Sequence, residues 1–490
     1  MTQILLEEEQ EKSWIGKPVP TIDGTEKVTG RGIYVYDMQL PNMLYAKVKR
    51  SSVSHAYLSG IDSSSANSLY GVRAIVTAQN FPDKLFGKGL MDTPILARDK
   101  VRYVGEAIAA VAAESEDIAA QAVELINVEY KELPAIYDPE ASASEHPDVL
   151  VHEKLQTYER SKDGPYVVNL VPTRPNVNCY YRVMNGDLDE GFKKADFVVE
   201  NEYRTPRVHH YHTEPISCLA KPEADGSITV YTGGQEAHKI RKVVSVALNL
   251  AESKIKVIIP AHVGGAFGNR ASGREEALCA ALALKTGRPV KFKLTREEVM
   301  SATTSRHAAI VRIRDGVLKS GEIVARDMIV YLAGGAYSTE GITAVPNAAR
   351  ASASTYYIEN FRAQIFRTYT NEMEGGAFRA FGYTYLMFAV ESQMDDVAQK
   401  LGIDPVEIRG RHMLKEGQKS VSGEIVTGDS LDSCLKKVLQ EMNKQPAESS
   451  KNDKWLSGRG FAIGHKGVYG NFPTVAYAKY DSDDTVEITA

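Results

Sequence analysis

The stretch around which this chain is organised is Val263-Gly264-Gly265-Ala266-Phe267-Gly268-Asn269-Arg270. It follows an apolar run, residues 255–259, that predicts a strand, and it precedes residues 271–286, which predict a helix. Small residues between a strand and a helix leave backbone N–H groups uncovered, and such groups bind anionic ligands. Glycine turns at this position are also common as plain structural turns, so this stretch alone leaves both interpretations open.

Composition and charge narrow the class of protein. The chain has 490 residues, of which 43% are hydrophobic and 25% charged, as in ordinary globular proteins. The net charge is −5 and there is no strongly basic block, so we expect no nucleic-acid partner. The apolar run at 277–284 is too short to span a membrane, and the glutamate-rich residues 1–12 show no signal-peptide pattern, which favours a cytoplasmic protein.

The four cysteines predict no metal centre of their own. They are Cys179, Cys218, Cys279 and Cys434, and no two of them form a Cys-x-x-Cys pair. Iron–sulfur and zinc sites in proteins usually show such closely spaced pairs. We therefore expect any iron–sulfur centre to lie on another chain.

Periodicity divides the chain into four predicted parts with an α+β (mixed α/β) fold. Residues 1–20 predict a polar arm, and 21–137 alternate strand-like with helix-like stretches and predict a compact α+β domain. Residues 138–167, rich in Pro, Ala, Ser, Glu and Asp, predict a linker. Residues 168–490 form the second predicted domain.

Several local signals refine these parts. Ser115 and Thr295 predict helix caps, and Asp404-Pro405-Val406-Glu407 predicts a capped start with Glu407 reaching back. Val290, Phe292 and Leu294 alternate with lysines and predict a half-buried strand. The strand pattern through Val486 and Ile488 runs up to Ala490, so we expect either a truncated chain or a second polypeptide that completes this domain.

Three further stretches carry polar groups of the kind that bind ligands. Gln235 follows two glycines at the end of a predicted strand, and Arg306 stands among small hydroxyl residues. Residues 375–382, Gly-Gly-Ala-Phe-Arg-Ala-Phe-Gly, repeat the order of the opening stretch: glycines, then aromatic and cationic groups, then a predicted helix.

Together these stretches resemble the molybdenum-binding subunit of the xanthine dehydrogenase and aldehyde oxidase family. The family's Gly-Gly-Gly-Phe-Gly-Gly-Lys turn matches 264–270, its Ala-Phe-Arg-Gly-Phe-Gly loop matches 377–382, and its Gly-Arg-His matches 305–307. Further matches are Val28-Thr29-Gly30, Met43-Leu44-Tyr45, Ser54-His55-Ala56, Arg102-Tyr103-Val104-Gly105-Glu106 and Leu401-Gly402-Ile403-Asp404-Pro405. The resemblance covers nearly all of 20–490 and implies a hammerhead-like α+β domain followed by the first part of a molybdopterin-binding domain.

The resemblance also implies a cofactor and residues to hold it. The cofactor is molybdopterin-bound molybdenum, in its plain form or as the cytosine dinucleotide, with no direct metal ligand from side chains. The residues implied to hold the cofactor are Gln235, Gly265, Ala266, Phe267, Gly268 and Arg379. Gln235 is implied to hydrogen-bond an oxygen ligand of molybdenum, and Arg306 is implied both to contact the substrate and to stabilise developing charge. Phe381 is implied to stack on a planar substrate.

Some positions depart from the family pattern. Ala266 and Ala380 replace glycines, and Arg270 replaces a lysine. The purine-binding glutamate of xanthine enzymes is Ala271 here, and Thr384-Tyr385 replaces the usual Pro-Gln. These departures put xanthine itself in doubt as substrate.

The family's pterin-binding Gly-Gln-Gly and its catalytic glutamate have no match in this chain. We therefore expect that general-base glutamate on a partner chain that completes the domain, together with an iron–sulfur (2Fe-2S) subunit and an FAD subunit. The implied function is oxidation of an N-heteroaromatic substrate, purine- or nicotinate-like, with water as oxygen source. Two alternatives stay open: an aldehyde oxidoreductase subunit of the same family, and a non-catalytic relative or fragment serving assembly or binding.

Overall fold

The structure is a computed structural model that describes residues 16–161, 168–428, 430–444, 458–467 and 475–489. Residues 1–15 of the predicted arm, 162–167 of the predicted linker and Ala490 lie outside the described residues. The helices within these ranges are α1 Gly24–Val28, α2 Ser64–Ser68, α3 Glu116–Glu124, α4 Pro139–Ser142, α5 Leu188–Lys194, α6 Ala237–Leu248, α7 Arg274–Thr286, α8 Arg296–Ala302, α9 Ala344–Ala351, α10 Thr384–Leu401, α11 Pro405–His412 and α12 Ser430–Lys444. Short 3₁₀ turns are Ala78–Asn80, Leu155–Thr157, Glu252–Lys254 and Thr339–Thr343.

The strands form one large sheet, one five-stranded sheet and several small ones. They are β1 Leu44–Arg50, β2 Ala56–Asp62, β3 Val72–Thr77, β4 Lys100–Val101, β5 Ala107–Ala113, β6 Asn127–Glu132, β7 Val177–Asn185, β8 Phe197–Thr205, β9 Val208–His209, β10 Ser217–Pro222, β11 Ile228–Thr232, β12 Ile255–Ile258, β13 Val290–Lys293, β14 Thr304–Arg306, β15 Ala309–Val317, β16 Ile323–Ala333, β17 Asn360–Thr368, β18 Glu374–Gly375, β19 Tyr477–Tyr480 and β20 Val486–Thr489. The seven-stranded sheet has the order β12-β11-β10-β13-β1-β5-β3, and the five-stranded sheet the order β7-β17-β16-β15-β8. The mixed α+β prediction is confirmed.

The seven-stranded sheet crosses the predicted domain boundary. Its strands β1, β3 and β5 come from the first predicted domain, and β10 to β13 come from the second. The junction is the parallel pair β1–β13, in which Leu44 lies opposite Val290. The chain is therefore joined by one continuous sheet where composition predicts a division.

The prediction of a half-buried strand at β13 is wrong. Val290, Lys291 and Phe292 are all buried because helix α7 covers one face of β13 and the backbone of Tyr36 and Met38 lies over Lys291 on the other. The Lys291 ammonium keeps hydrogen bonds by donating to the carbonyl oxygens of Tyr36 and Met38 at 2.7 and 2.6 Å. Burial lowers the pKa of Lys291, and these backbone acceptors satisfy its donors inside the sheet.

The predicted helix caps are largely confirmed. Ser115 accepts from the Ile118 amide, and Thr295 forms a capping box with Glu298. Asp404 caps α11, but Glu407 pairs with Arg411 one turn later and does not reach back. Glu407 forms an ion pair with the arginine four residues later, and this charged contact replaces the predicted hydrogen bond to the backbone amide at the helix start.

The helix after the opening stretch begins later than predicted. The α7 helix starts at Arg274, because Gly273 has a φ of +77°, which a right-handed helix cannot accommodate. Ala271 therefore belongs to the turn. The predicted end of the helix is confirmed, with Gly287 in the left-handed conformation after Thr286.

The described part of the predicted linker packs onto the second domain. Ser142 is fully buried and its hydroxyl donates to the Tyr369 carbonyl at 2.6 Å. Val151 and Leu155 enter the core that lies between the five-stranded sheet and helices α9 and α10. Isolated apolar residues without periodicity anchor this segment, which is why sequence pattern indicated a linker.

The carboxyl-terminal strand pattern is present as a hairpin of β19 and β20. Val486 and Ile488, whose alternation predicted the strand, are both largely exposed. None of the helices in the described ranges combines the length and apolarity that a bilayer span requires.

Candidate functional site

A small sheet collects segments that are far apart in sequence. The strands lie in the order β18-β14-β9, so that Ser305 pairs with Gly375 on one side and with His209 on the other. Arg306 ends the central strand and the 375–382 loop leaves the neighbouring one. We call residues 263–270 the first turn and residues 375–382 the second loop.

Several residues of the first turn have positive φ angles, which glycine adopts freely and other residues adopt only with strain. Gly265 and Gly268 have φ values of +98° and +114°, and Phe267 has a φ of +53°. A Cβ on Gly268 would lie 2.0 Å from the Ala377 carbonyl oxygen, so the two loops touch through backbone atoms. Ala266 does not have a positive φ, which explains how alanine replaces the family's glycine there.

Gln235 holds the first turn from the end of β11. Its Oε1 accepts a hydrogen bond from the Gly268 backbone amide at 2.9 Å, and the Gln235 backbone amide donates to the Arg270 carbonyl at 2.8 Å. The side chain is exposed, and its Nε2 donates to none of the described residues. Gln235 is thus held against the first turn, and its predicted bond to a cofactor oxygen stays a prediction.

The second loop is bonded to the first turn. The Arg379 amide, predicted to face the metal centre, donates to the Phe267 carbonyl at 2.9 Å. The Arg379 side chain is exposed. Ala380 has a φ of +61°, the conformation for which the family uses glycine.

Buried charged groups lie beneath the first turn. Arg270 is 5% exposed, donates to the Glu214 carbonyl, and lies 3.2 Å from the Glu214 carboxylate. The same carboxylate accepts from the Gly264 amide at 2.8 Å. Arg270 therefore supplies the positive charge that a lysine supplies in the family, and it fixes Glu214 as a support of the turn.

Glu276 is a second buried carboxyl under this region. Thr232, at the end of β11, donates its hydroxyl to Glu276 Oε1 at 2.6 Å and accepts from the Gly234 amide at 3.0 Å. Burial, reinforced by the neighbouring Glu275 charge, raises the pKa of Glu276 to about 7.

Arg306 lies beside the second loop. Its Nη1 donates to the Thr384 hydroxyl at 2.7 Å and its Nη2 donates to the Arg379 carbonyl at 3.1 Å. The guanidinium also sits 4.4 Å from the centre of the Phe378 ring. Arg306 thereby braces the loop, and Thr384, one of the departures from the family pattern, is its partner.

The aromatic rings of the site differ in exposure. Phe267 is 43% exposed at the tip of the first turn, whereas Phe381, the predicted stacking residue, is partly buried. Phe378 packs against Arg306 and against the His210 ring. His307 is buried and accepts a hydrogen bond from Arg367 at 3.0 Å, which is a structural role.

The groups that remain available at the two loops suit an oxygen-rich anionic ligand. The Phe267 amide, like Gln235 Nε2, donates to none of the described residues. Successive residues in right-handed and left-handed conformations point their backbone N–H groups into one concave pocket, called a nest, that binds anions. No group of three or more His, Cys, Asp and Glu side chains in the described ranges is placed to hold a metal ion. The donor set therefore fits a cofactor held through its own oxygen atoms.

Sequence reasoning missed the supporting side chains of the site. His209, His210 and His212 lie beneath the two loops, and Asn269 of the first turn bonds to this segment. The signal was present, because His-His-Tyr-His concentrates three of the chain's 11 histidines in four positions. Periodicity does not reveal such a cluster, since its members face different directions.

Two family models match the chain. The molybdopterin cofactor-binding domain matches residues 170–413. The a/b hammerhead domain of aldehyde oxidase and xanthine dehydrogenase matches residues 29–134. Both loops described above lie within the first of these matches.

Individual relatives agree with these matches. The chain is 34% identical over 443 residues to the xanthine dehydrogenase molybdenum-binding subunit of Escherichia coli, covering 87% of this chain and 56% of that protein. It is 32% identical over 434 residues to the nicotinate dehydrogenase large molybdopterin subunit of Eubacterium barkeri, covering 87% of this chain and 97% of that subunit. The chain thus spans about half the length of several curated relatives and nearly all of another.

The fold also matches solved structures. The aldehyde oxidoreductase from Desulfovibrio gigas superposes with a TM-score of 0.77 at 27% identity, covering 88% of this chain and 47% of that one. Quinoline 2-oxidoreductase from Pseudomonas putida 86 gives a TM-score of 0.76 at 25% identity, covering 89% of this chain and 55% of that one.

Proposed function

Because the chain belongs to the xanthine dehydrogenase and aldehyde oxidase family, we propose that it binds the molybdenum cofactor in a multi-subunit hydroxylase. The substrate class is an N-heteroaromatic compound, purine- or nicotinate-like, and water supplies the oxygen. The observation that carries this proposal is the bonded pair of loops, in which Gln235, Phe267 and Arg379 meet around one set of outward donors. Relatives named for nicotinate and nicotine support the substrate class.

The chain's own residues hold and orient the cofactor. Gln235 Nε2 and the Phe267 amide donate to its oxygen atoms, while Gly265, Ala266 and Gly268 let the backbone approach it closely. When bound, the molybdenum centre supplies the two-electron redox chemistry of the reaction. The Gly268 amide is already bonded to Gln235, so its part is to fix the glutamine in place.

The substrate is oriented by the second loop and its neighbour. Phe381 offers an aromatic face to a planar ring. Nη1 and Nη2 of Arg306 donate to groups within the chain. Its Nε–H group donates to a polar atom of the substrate, and the guanidinium charge stabilises the negative charge that develops during the reaction. Ala271, in place of the family's purine-binding glutamate, favours a substrate other than xanthine.

The remaining parts of the enzyme lie on partner chains in this proposal. A second chain completes the domain and carries the general-base glutamate, and further subunits carry 2Fe-2S and FAD. The support is that this chain aligns with 97% of the Eubacterium barkeri protein, which is named as the large molybdopterin subunit of nicotinate dehydrogenase. We expect this assembly in the cytoplasm and propose the cytosine dinucleotide as the alternative to plain molybdopterin.

The test is a metal and substrate assay of the co-expressed assembly. We expect stoichiometric molybdenum and turnover of N-heterocycles with an artificial electron acceptor, and Gln235→Leu is expected to lower molybdenum content. The matched control is Gln399→Leu, an exposed glutamine on α10. An intact assembly without molybdenum contradicts the proposal and favours a non-catalytic role, while turnover of aldehydes alone makes it an aldehyde oxidoreductase subunit.

A further inference from the structure

The His-His-Tyr-His segment lies where the first turn and the second loop meet. His210 is 5% exposed, and its Nε2 lies 2.8 Å from the Ala377 carbonyl oxygen. Its ring packs on Phe378 at 4.4 Å between centroids. His210 therefore holds the second loop by one backbone hydrogen bond and one ring contact.

His212 holds the first turn in a similar way. It is 1% exposed, its Nδ1 lies 2.6 Å from the Glu214 carbonyl oxygen, and its Nε2 lies 3.2 Å from Asn269 Nδ2. The His212 Cβ is also within 3.1 Å of the place where a Cβ on Gly265 would stand. The first turn thus closes directly onto this histidine.

Asn269 links the first turn to the central strand of the small sheet. Its Oδ1 accepts from the Thr304 amide at 3.2 Å and from the Thr304 hydroxyl at 3.0 Å. Because a backbone amide can only donate, this contact fixes which end of the side-chain amide is oxygen. The Asn269 Nδ2 group is therefore the donor that faces His212.

These contacts determine the protonation of both rings. A carbonyl oxygen only accepts, so His210 carries its proton on Nε2 and His212 carries its proton on Nδ1. His212 Nε2 accepts from Asn269 and must lack a proton, which makes that ring neutral. Burial lowers the pKa of both histidines to about 4, so the neutral forms persist at ordinary pH.

We propose that His210 and His212 are positioning residues that clasp the two cofactor-facing loops together, one on each loop. The clasp rests on the proposed function, because its purpose is to pre-organise the donors of Phe267 and Gln235 for the cofactor. Neither ring touches the cofactor: His210 acts through Ala377, and His212 acts through Asn269. The clasp is a property of the protein without its cofactor, which makes it testable separately.

The experiment is hydrogen–deuterium exchange on the full chain in its assembly, with molybdenum content measured on the same samples. In His210→Leu we expect amide exchange in 375–382 to become about tenfold faster, and in His212→Leu the same for 263–270, while 309–333 stays unchanged. His210→Gln returns a donor to Ala377, and His212→Gln returns an acceptor to Asn269. Both are expected to restore slow exchange and molybdenum content.

The outcomes separate the clasp from the proposed function. Unchanged exchange at both loops in the leucine variants overturns the clasp, whatever the molybdenum content. If the leucine variants exchange faster at the loops but the wild-type assembly never contains molybdenum, the clasp is supported and the proposed function is contradicted. If a leucine variant loosens 309–333 as well, His210→Phe or His212→Phe replaces it, because phenylalanine keeps a ring of similar size and removes the hydrogen bonds of the histidine. Unchanged exchange at the loop that this histidine contacts would then overturn the clasp.

Discussion

The first turn and the second loop have the same order of residues but different support. The first turn ends on the buried Arg270 and lies over two buried carboxyl groups, Glu214 and Glu276. The second loop is braced by Arg306 and by Arg367, whose Nη2 donates to the Gly375 carbonyl at 2.9 Å. Among the described residues, both of these arginines bond to neutral acceptors: carbonyl, hydroxyl, amide and imidazole groups.

Because of this difference, the stability of two loops with similar sequences can respond differently to pH and to substitution. The buried Glu276 carboxyl under the first turn titrates near neutral pH because burial raises its pKa, whereas arginines with neutral acceptors do not titrate. The two alanines that replace the family's glycines also differ, since Ala380 has a positive φ and Ala266 does not. Four experiments test whether the first turn and the second loop differ in these ways.

The largest effect is expected from Gly268→Ala, at the contact between the two loops. The new Cβ would lie 2.0 Å from the Ala377 carbonyl oxygen, at a φ of +114°. We expect a loss of about 3 kcal/mol or more in the free energy of unfolding, and loss of molybdenum from the assembly. The control is Gly402→Ala, at a φ of +65° with no atom within 4 Å of the new Cβ, where about 1 kcal/mol is expected. Equal losses in denaturant titrations would contradict the close approach of the loops.

The next effect is a pH dependence that belongs to the first turn. Glu276 has a pKa of about 7 in the folded chain against an ordinary value of 4.5, so the folded state holds a proton that the unfolded state has lost. Stability from this group is complete below pH 4.5 and is lost as the pH rises through 7, by about 3 kcal/mol. Glu276→Gln is therefore expected to be more stable than wild type at pH 8 and similar at pH 5. A constant difference between the two proteins across that range would refute the assignment.

A smaller effect is expected from Arg306→Ala beside the second loop. Turnover should fall by the equivalent of about 1.5–3 kcal/mol, the strength of a charged hydrogen bond to substrate. Molybdenum content should stay intact, because the Arg379 amide still bonds to Phe267. The matched control, Thr384→Val, removes one hydrogen bond of the brace and keeps the Arg306 bond to the Arg379 carbonyl, so it should keep turnover. If Thr384→Val lowers turnover as much, Arg306 is only a brace.

The smallest effects come from restoring the family's glycines, and they should have opposite signs. Ala380→Gly removes a strained φ of +61° and is expected to stabilise the chain by about 1 kcal/mol. Ala266→Gly relieves no strain and is expected to destabilise it by about 0.5–1 kcal/mol, because glycine loses more entropy on folding. Thermal unfolding of the two variants measures both. The same sign for both would show that the two alanine positions do not differ in backbone strain.

Much of the fold was predictable because the signals are local. The α7 helix ends at Gly287 as predicted, Ser115 and Thr295 cap their helices, and the fully apolar residues 107–113 form a strand. The candidate site residues Gln235, Phe267, Gly268, Arg306 and Arg379 come together in one place, although their roles toward cofactor and substrate stay predictions. Gln235 stood out at the end of a predicted strand and Arg306 among small hydroxyl residues, whereas the roles of all five are what the family resemblance implies.

The α+β class, the family, the glycine pattern of both loops and the positions of their polar residues follow from the amino-acid sequence, since these depend on neighbours along the chain. The three-dimensional arrangement was needed to show that one sheet joins the two predicted domains, that Lys291 is buried, and that His210 and His212 contact the loops. These depend on pairings between residues far apart in sequence. Such pairings are set by packing and by the need of each buried polar group for a partner, which no local pattern records.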